Sequence, residues 1–406
     1  MSMLNTLEWL LMLVAAVASV PAVVVCVEVL ASLRLRSRID RAPQGFSPSR
    51  FAVLVPAHNE ESILPDTLEN LKKVVRPDDR IVVIADNCTD ATEQVAKNHN
   101  VEVVCRFEPA LRGKGYALDF GIKYLAQDPP EVVVFIDADC RVVRGTLTEL
   151  AAISEASGKP VQALDTMVAA PGHEAAQALQ VLAWRLKNYV RPLGMKALGL
   201  PCQLAGTGMA IPWRAIAGVN VRSGELAEDL KLGVDLAING QLASFYTGTE
   251  IVSAFPVAAE SKIKQQQRWE IGSWRVIARM LPLLLKAAIT RRSWRLLGMA
   301  CDISVPPLLS YAAIQALLLA ASVLLAALGM PGVFWVSAAG FVLLSAAIAC
   351  TWTAYSADLR QHVDLSTIAG LVMQKVAVYR RGKLRGGIGW ERTARPEDRG
   401  GDKKAE

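Results

Sequence analysis

Hydrophobic residues concentrate near the two ends of the chain, in long stretches without charge. Nineteen uncharged residues separate Glu8 from Glu28, close to the roughly 20 that a helix needs to cross a bilayer. Another 55 separate Asp302 from Asp358, interrupted at 329–332 by Gly-Met-Pro-Gly, which predicts a turn between two helices. The pattern therefore predicts three membrane spans, one near the N-terminus and a hairpin near the C-terminus.

The charged residues that flank these stretches predict an orientation. No Lys or Arg precedes the first stretch, whereas Arg34, Arg36, Arg38 and Arg41 follow it, which favours an uncleaved anchor over a signal peptide. Basic residues collect on the cytoplasmic side, and the tail beyond Asp358 is also rich in them. We therefore expect a multi-pass protein of the plasma (inner) membrane, with the middle of the chain and the tail in the cytoplasm. Residues 276–300 and 363–380 are predicted as interfacial helices, with ordinary packing helices as the alternative.

The middle of the chain alternates short apolar runs with longer amphipathic stretches. Apolar runs at 51–55, 80–85, 101–104 and 131–136 are typical of strands buried on both faces of a parallel sheet. Helix-like stretches lie at 60–74, 90–98, 114–126 and 146–156. This alternation predicts a doubly wound α/β domain with a mostly parallel sheet. The predicted organisation is an anchor and basic linker (1–47), a cytoplasmic α/β domain (48–275), interfacial helices (276–300), a transmembrane hairpin (301–357) and a basic tail (358–406).

Composition removes several classes of protein from consideration. Hydrophobic residues make up 52% and charged residues 20%, and the net charge of +6 is too small to indicate a nucleic-acid partner. The seven Cys are scattered without a C-x-x-C pair, so neither a zinc site nor a disulfide framework is expected. The chain has no Walker A motif and no G-x-G-x-x-G, so the sequence gives no support to a P-loop NTPase or a typical NAD-binding fold.

Carboxylates follow two of the predicted strands. Asp86 follows the second strand, and Asp137 and Asp139 follow the fourth. Because open α/β sheets bind ligands beyond the carboxyl ends of their strands, we expect these side chains in one crevice. A D-x-D pair suits Mg²⁺ or Mn²⁺, which prefer oxygen ligands. Nearby, Asp90 is expected to be a helix cap, and Lys114, at a helix start, either contacts a diphosphate or lies in a solvated basic turn.

Five segments in this order resemble the motifs of the membrane-bound family 2 glycosyltransferases, the group that contains cellulose, chitin and hyaluronan synthases. They are VPAHNEE at 55–61, IADNCTD at 84–90, DAD at 137–139, Glu228-Asp229 in LAEDLKLG, and Gln265-Gln-Gln-Arg268-Trp269, which matches Q-x-x-R-W. The resemblance covers about residues 50–275 together with the membrane arrangement. It implies a GT-A fold, a UDP-sugar donor and a divalent cation, Mg²⁺ or Mn²⁺.

The resemblance also implies roles for individual residues. On the donor side, Asp86 would hold the uracil, Glu60 would lie at the ribose, His58 would flank the base, and Lys114 would face the diphosphate. Asp137 and Asp139 would face the nucleotide sugar, with Asp139 as the main metal contact. The family often has Tyr at the position of His58, so this departure leaves base stacking open. On the acceptor side, Asp229 would be the general base, Arg268 a diphosphate clamp and Trp269 a sugar platform, and Gln265, Thr207 and Glu228 would contact the acceptor.

Together these features predict an inverting, metal-dependent hexosyl- or N-acetylhexosaminyltransferase. We expect it to use a membrane-associated, polyprenyl-diphosphate-linked saccharide in exopolysaccharide, capsule or envelope glycan synthesis, because three spans hardly enclose a pore. Other polysaccharide-assembly proteins would be its partners. The alternative, favoured by Q-x-x-R-W, is a processive β-glycan synthase that extends and exports a polymer. A polyprenyl-phosphate sugar synthase generally lacks Q-x-x-R-W. An inactive nucleotide-sugar-binding scaffold is disfavoured because Asp137, Asp139 and Asp229 are all present.

Overall fold

The computed structural model describes residues 3–42 and 48–362. These residues form two compact units. The first comprises the chain up to Ser37 together with Leu182–Leu200 and Ile277–Gln361, and the second comprises Arg38–Val181 and Pro201–Val276. The predicted interfacial helix at 363–380 and most of the predicted basic tail lie outside the described residues.

The second unit is built on one eight-stranded mixed sheet. Its strands are β1 Phe51–Ala57, β2 Arg80–Asp86, β3 Glu102–Arg106, β4 Val132–Phe135, β5 Arg141–Arg144, β6 Val161–Val168, β7 Met209–Pro212 and β8 Ser244–Ala254, in the order β3-β2-β1-β4-β7-β6-β8-β5. The four strands predicted from the sequence form the parallel half, β3-β2-β1-β4. Strand β7 runs antiparallel to β4 and β6, β6 and β8 are parallel, and β5 runs antiparallel to β8. The predicted α/β class is confirmed.

Thirteen α-helices lie in the described residues. They are α1 Met3–Ser32, α2 Leu64–Val74, α3 Thr92–Asn98, α4 Lys114–Leu125, α5 Leu147–Ser157, α6 Glu174–Arg185, α7 Arg191–Ala197, α8 Trp213–Ile216, α9 Glu228–Ile238, α10 Ala259–Thr290, α11 Trp294–Ile303, α12 Leu308–Ala327 and α13 Pro331–Tyr355. A π-helical turn at Leu186–Val190 joins α6 to α7, and a 3-10 helix at Ala357–His362 follows α13. Helices α2 to α5 appear where the sequence predicted them.

Apolar spacing explains how the helices pack on the sheet. Helix α2 buries Leu64, Leu68 and Leu71, spaced four and three residues apart, against the apolar side chains of the parallel strands. Helix α5 begins with a capping box in which Thr146 and Glu149 bond reciprocally to each other's backbone N–H. The strands themselves are almost fully buried, as expected for a sheet covered on both faces.

This topology decides where the polar side chains go. Strands β2, β1 and β4 are parallel neighbours, so their carboxyl ends lie at one edge of the sheet. Asp86 is the last residue of β2, and Asp137 follows β4 by two residues. With one strand between them, β2 and β4 are about 10 Å apart, which is the span of a small ligand. The predicted crevice therefore has a structural basis in the strand order.

The first unit contains three helices long and apolar enough to cross a membrane, namely α1, α12 and α13. Their number and positions agree with the sequence pattern, and α13 begins at Pro331 directly after the predicted turn. Small residues let these helices approach closely: at Gly340 an added Cβ would lie 2.2 Å from Ser19 Oγ. Upstream of the hairpin, residues 276–290 form the second half of the long helix α10, which continues through Pro282, and α11 follows at Trp294–Ile303.

A buried ion cluster joins three segments of the first unit. Arg191, in α7, donates from Nε to Glu28 Oε2 at 2.7 Å and also pairs with Asp302 of α11. All three residues are almost completely buried. This cluster ties Leu182–Leu200 to the other segments of the first unit.

Replacing Arg191 with Leu should strongly destabilise the protein. The substitution leaves the carboxylates of Glu28 and Asp302 buried without a cation, which typically costs about 3–5 kcal/mol of folding free energy. Arg185→Leu is the matched control, because Arg185 pairs with the exposed Asp358 and such pairs contribute about 0–1 kcal/mol. Thermal unfolding in detergent compares the two variants. Equal losses would contradict a special role for the buried cluster.

Candidate active site

The first part of the site is a buried group at the carboxyl ends of β1, β2 and β3. His58, directly after β1, lies with Nδ1 2.6 Å from the backbone oxygen of Asp86. The Asp86 carboxylate pairs with Arg106, the last residue of β3, and also accepts a hydrogen bond from Asn87 at 3.0 Å. The sequence indicated His58 and Asp86 but missed Arg106. The sequence does contain an indication of Arg106: a basic residue ends β3, the strand next to the one that ends in Asp86.

Two loops form hydrogen bonds to each other beside this group, and these bonds position Glu60. Asn59 Oδ1 accepts from the N–H of Thr89 at 2.7 Å, and the Glu60 N–H donates to Thr92 Oγ1 at 2.8 Å. Asn59 has a positive φ of 56°, a conformation that Asn tolerates well. Asp90 Oδ1 accepts from the N–H of Thr92, the first residue of α3, at 3.0 Å, whereas the N-cap position itself is Ala91. These contacts bring the 58–61 loop, which carries Glu60, up to the loop that follows Asp86.

The second part of the site is centred on the ammonium group of Lys114. This group forms an ion pair with Asp137, donates to the backbone oxygen of Gly206 at 2.9 Å, and lies 3.8 Å from Glu228 Oε1. Asp229 is adjacent, because a Cβ placed on Gly206 would lie 3.2 Å from Asp229 Oδ2 and 3.3 Å from Lys114 Nζ. Three carboxylates singled out from the sequence, those of Asp137, Glu228 and Asp229, therefore meet around the ammonium group of Lys114.

Local structure explains why these side chains converge. Lys114 is the first residue of α4, and Glu228 and Asp229 are the first two of α9, where a helix N-terminus favours negative charge. Gly206 has a φ of 88°, which a residue with a side chain rarely adopts. The next residue, Thr207, accepts the backbone N–H of Asp137 through Oγ1 at 3.2 Å. The turn at Gly206 thus links the D-x-D segment to α4 and α9.

Asp137, Asp139 and Cys140 place one potential ligand atom each within 4.8 Å of one another. The carboxylate oxygens are donors of the kind that Mg²⁺ and Mn²⁺ prefer, so this pair of residues fits the predicted cation. Cys140 had not been predicted near the site. Burial raises the pKa of the Cys140 thiol well above its usual range, and the thiol donates to Asp139 Oδ1 at 3.6 Å. A protonated thiol orients Asp139 rather than binding a hard cation.

The charges of the Lys114 cluster are strongly coupled. Burial raises the pKa of Glu228 to about 7, the charge of Asp229 adds to this, and Lys114 opposes it. Burial also raises the pKa of Asp137, against the influence of Lys114. For Lys114 itself burial lowers the pKa, but the charges of Asp137 and Glu228 outweigh burial and the pKa is raised. At neutral pH the lysine is therefore the positive centre of an acidic, partly desolvated site.

The predicted Q-x-x-R-W residues lie near the start of the long helix α10. Gln265, Arg268 and Trp269 are half-buried there. One turn after Arg268, Gly272 packs on the segment that enters α9, since a Cβ at Gly272 would lie 3.2 Å from the Cβ of Ala227. This contact brings the helix that carries the motif up to the residue preceding Glu228.

Residues 48–272 match a family model described as glycosyltransferase like family 2. An uncharacterized protein of Methanocaldococcus jannaschii is 42% identical over 87 residues, covering 21% of this chain and 34% of that protein. The probable glycosyltransferase YdaM of Bacillus subtilis is 32% identical over 98 residues, covering 22% of this chain and 23% of that protein. The matched part thus spans about a third and a quarter of the length of these curated relatives.

Solved structures resemble the chain more distantly. A mannosyltransferase from Pyrobaculum calidifontis, in complex with GDP-Man and Mn²⁺, has a TM-score of 0.49 and 19% identity, covering 86% of this chain and 99% of that chain. TarS of Staphylococcus aureus has a TM-score of 0.38 and 18% identity, covering 57% of this chain and 40% of that chain. These likenesses are too distant to carry a substrate or a metal over to this chain.

The raised pKa of Glu228 predicts a pH dependence of stability. The folded protein holds a proton on Glu228 up to about pH 7, whereas an unfolded Glu releases it near pH 4.5. Because the folded state binds more protons between these values, its stability should fall as pH rises from about 4.5 to about 7.

In Glu228→Gln the part of the stability loss that is caused by Glu228 should be absent. The difference in unfolding temperature between the variant and the parent should therefore change across the same pH range. Scanning fluorimetry in buffers without divalent cations measures it. Parallel pH profiles for the two proteins would show that Glu228 is not the titrating group.

Proposed function

This chain belongs to family 2 of the glycosyltransferases and has the GT-A fold, and we propose that it transfers a sugar from a UDP-sugar to a membrane-associated saccharide with inversion at the anomeric carbon. The observation that carries the proposal is the cluster around Lys114. It joins Asp137 of the D-x-D segment to Glu228 and Asp229 of the acceptor motif, within the region that matches the family. Donor-side and acceptor-side groups are thereby adjacent at the carboxyl edge of the sheet.

The nucleoside binds, in this proposal, at the group formed by His58, Asp86 and Arg106. Arg106 and Asn87 hold the buried Asp86 carboxylate in one orientation, which lets its remaining acceptor capacity recognise a base N–H. Glu60 lies on the neighbouring loop, where a ribose hydroxyl would follow the base. His58 already contacts the backbone of Asp86, so its ring borders the same pocket.

The diphosphate lies between the nucleoside group and the Lys114 cluster. Asp139, with Asp137, would hold Mg²⁺ or Mn²⁺, which supplies positive charge opposite the leaving diphosphate when bound. Lys114 and Arg268 are the cations that the chain itself contributes there, and an Arg fork suits paired phosphate oxygens. Negative charge that develops on UDP is stabilised by these fixed groups.

Transfer requires one base on the acceptor side. Asp229 takes the proton of the acceptor hydroxyl while that oxygen bonds to the anomeric carbon and the bond from this carbon to the diphosphate oxygen breaks. UDP leaves with the electron pair of the broken bond. The glycine at 206 leaves room beside Asp229 for a sugar to approach the backbone. Trp269, Gln265, Thr207 and Glu228 complete the acceptor side in this proposal.

A lipid-linked saccharide, carried on a polyprenyl diphosphate, is the acceptor that we favour. Its support is the presence of three helices in the described residues that are long and apolar enough to cross a membrane. We place the catalytic domain on the cytoplasmic side of the plasma membrane, because the basic residues after α1 favour that orientation. The product would then serve polysaccharide assembly at the membrane.

The test uses the purified full chain in nanodiscs with bacterial lipid extract, a panel of UDP- and GDP-sugars, and Mg²⁺ or Mn²⁺. Release of nucleoside diphosphate and the size of the glycan are measured. A lipid-linked product longer by one sugar supports the proposal. A long, polydisperse product would replace it with the processive synthase. Nucleotide binding without turnover for any donor would contradict an active enzyme and favour the scaffold.

Asp229→Asn should abolish most transfer while leaving UDP binding intact, because only the base is removed. A general base contributes about 10²- to 10⁴-fold to a rate, and a loss of this size in kcat is expected. Glu228→Gln is the matched control on the neighbouring residue and should retain more activity. If Glu228→Gln lost the rate and Asp229→Asn kept it, the base would be Glu228.

Asp139→Ala should remove metal-dependent nucleotide binding along with catalysis. Loss of a ligand should exceed the roughly 10- to 100-fold weakening that is typical of changes around a metal site. Isothermal titration with Mn²⁺ and UDP measures it without any need for turnover. Cys140→Ala, which removes a group that orients Asp139 but not a ligand, should weaken binding by no more than about 10- to 100-fold. Metal-dependent binding that survived in Asp139→Ala would place the cation elsewhere.

A further inference from the structure

The turn between α10 and α11 carries an unusual surface, which we call the elbow and define as residues 283–297. Four large apolar side chains are exposed on it, with exposed fractions of 50% for Leu283, 74% for Ile289, 59% for Trp294 and 48% for Leu297. Exposed cations lie among them: Lys286, Arg291, Arg292 and Arg295. The guanidinium of Arg295 lies 5.7 Å from the centre of the Trp294 ring.

The charge on this part of the chain has one sign. Between Glu270 and Asp302 the sequence contains six basic residues and no acidic residue. Within the described residues, no carboxylate lies within ion-pair distance of Lys286, Arg291, Arg292 or Arg295. The elbow therefore presents positive charge that the described part of the protein does not neutralise.

Helix α11 has a second face that is already occupied. Leu296, Met299, Ala300 and Ile303 are buried, and a Cβ at Gly298 would lie 2.5 Å from Leu200. Asp302 pairs with Arg191 on the same packed side. The packed face fixes α11 within the first unit, so the outward direction of Trp294 and Leu297 is built in rather than a result of loose packing.

The chain enters an apolar helix shortly after the elbow. Helix α11 ends at Ile303, and α12, one of the three helices able to cross a membrane, begins at Leu308. Leu297, the last residue of the elbow, therefore lies eleven residues before the first residue of a helix that could cross a membrane. Mixed Trp, aliphatic and basic side chains are the composition of surfaces that lie at headgroup depth.

We propose that the elbow binds the headgroups of anionic phospholipids. The apolar side chains enter the boundary between headgroups and acyl chains, and Arg291, Arg292 and Arg295 contact headgroup phosphates and the negative surface charge. A nucleic acid would use the same cations but has no use for exposed Ile289 and Leu297. The inference rests on the membrane location in the proposed function but not on its chemistry.

The test titrates phosphatidylglycerol or phosphatidylcholine into the full chain in neutral detergent and follows the unfolding temperature. Phosphatidylglycerol should raise it more than phosphatidylcholine, and added salt should weaken the difference. In Arg291→Gln/Arg292→Gln/Arg295→Gln the preference should be lost, with roughly tenfold or more phosphatidylglycerol needed for the same shift. If the triple variant does not fold, Arg291→Gln alone should give a smaller change in the same direction.

The matched control removes three exposed lysines from helices of the α/β unit, in Lys73→Gln/Lys97→Gln/Lys123→Gln, and should keep the preference. In nanodiscs, brominated phosphatidylglycerol should quench the fluorescence of Trp294. The quenched part of the tryptophan fluorescence should therefore be smaller in Trp294→Phe. An unchanged preference in the elbow variant, or no quenching attributable to Trp294, would overturn the inference. So would an arginine-dependent shift with single-stranded RNA but not with phosphatidylglycerol. None of these readouts involves a sugar donor, so failure of sugar transfer and failure of lipid binding are separate results.

Discussion

The active site depends on the balance between one ammonium group and the carboxylates around it. Asp137, Glu228 and Asp229 come from separate segments, and their mutual repulsion in a partly desolvated site would hold those segments apart. Lys114 offsets that repulsion by pairing with Asp137 and approaching Glu228 to 3.8 Å. The raised pKa of Glu228, caused first by burial and then by Asp229, shows that the balance is incomplete. A site left short of positive charge is suited to a divalent cation.

Backbone geometry holds this arrangement as much as charge does. The turn at Gly206 accepts Lys114 through its carbonyl oxygen and leaves space beside Asp229. Gln162, buried in β6, forms hydrogen bonds to the residues on both sides of Gly206. Its Nε2 donates to the backbone oxygen of Thr207 at 2.8 Å, and its Oε1 accepts from the N–H of Ala205 at 2.8 Å. Gln162 therefore holds the backbone on which Gly206 contacts Lys114.

The first unit also balances buried charges of opposite sign, with different residues. Arg191 is placed between Glu28 and Asp302, so the charges that would oppose packing hold α1, α7 and α11 together instead. Buried pairs of this kind contribute little net stability when complete but cost several kcal/mol when one partner is missing, which makes them determinants of one particular packing. The cations of the elbow differ because the described residues leave them facing outward.

The sequence by itself determined the elements and the order of the motifs. Near-continuous apolar runs such as Arg80–Asp86 favour a strand covered on both faces, and uncharged stretches of about 20 residues or more favour a helix that can cross a bilayer. Local chemistry likewise indicated Asp86, Asp137 and Asp139. Arg106, Cys140 and Gln162 are missed in this way, because Arg106 and Gln162 act on partners 20 or more residues away in the chain and the state of the Cys140 thiol depends on burial. Tertiary structure alone decided these contacts and the pairing of Arg191 with Glu28 and Asp302, because pairing between buried charges depends on distance in space and leaves no periodicity in the sequence.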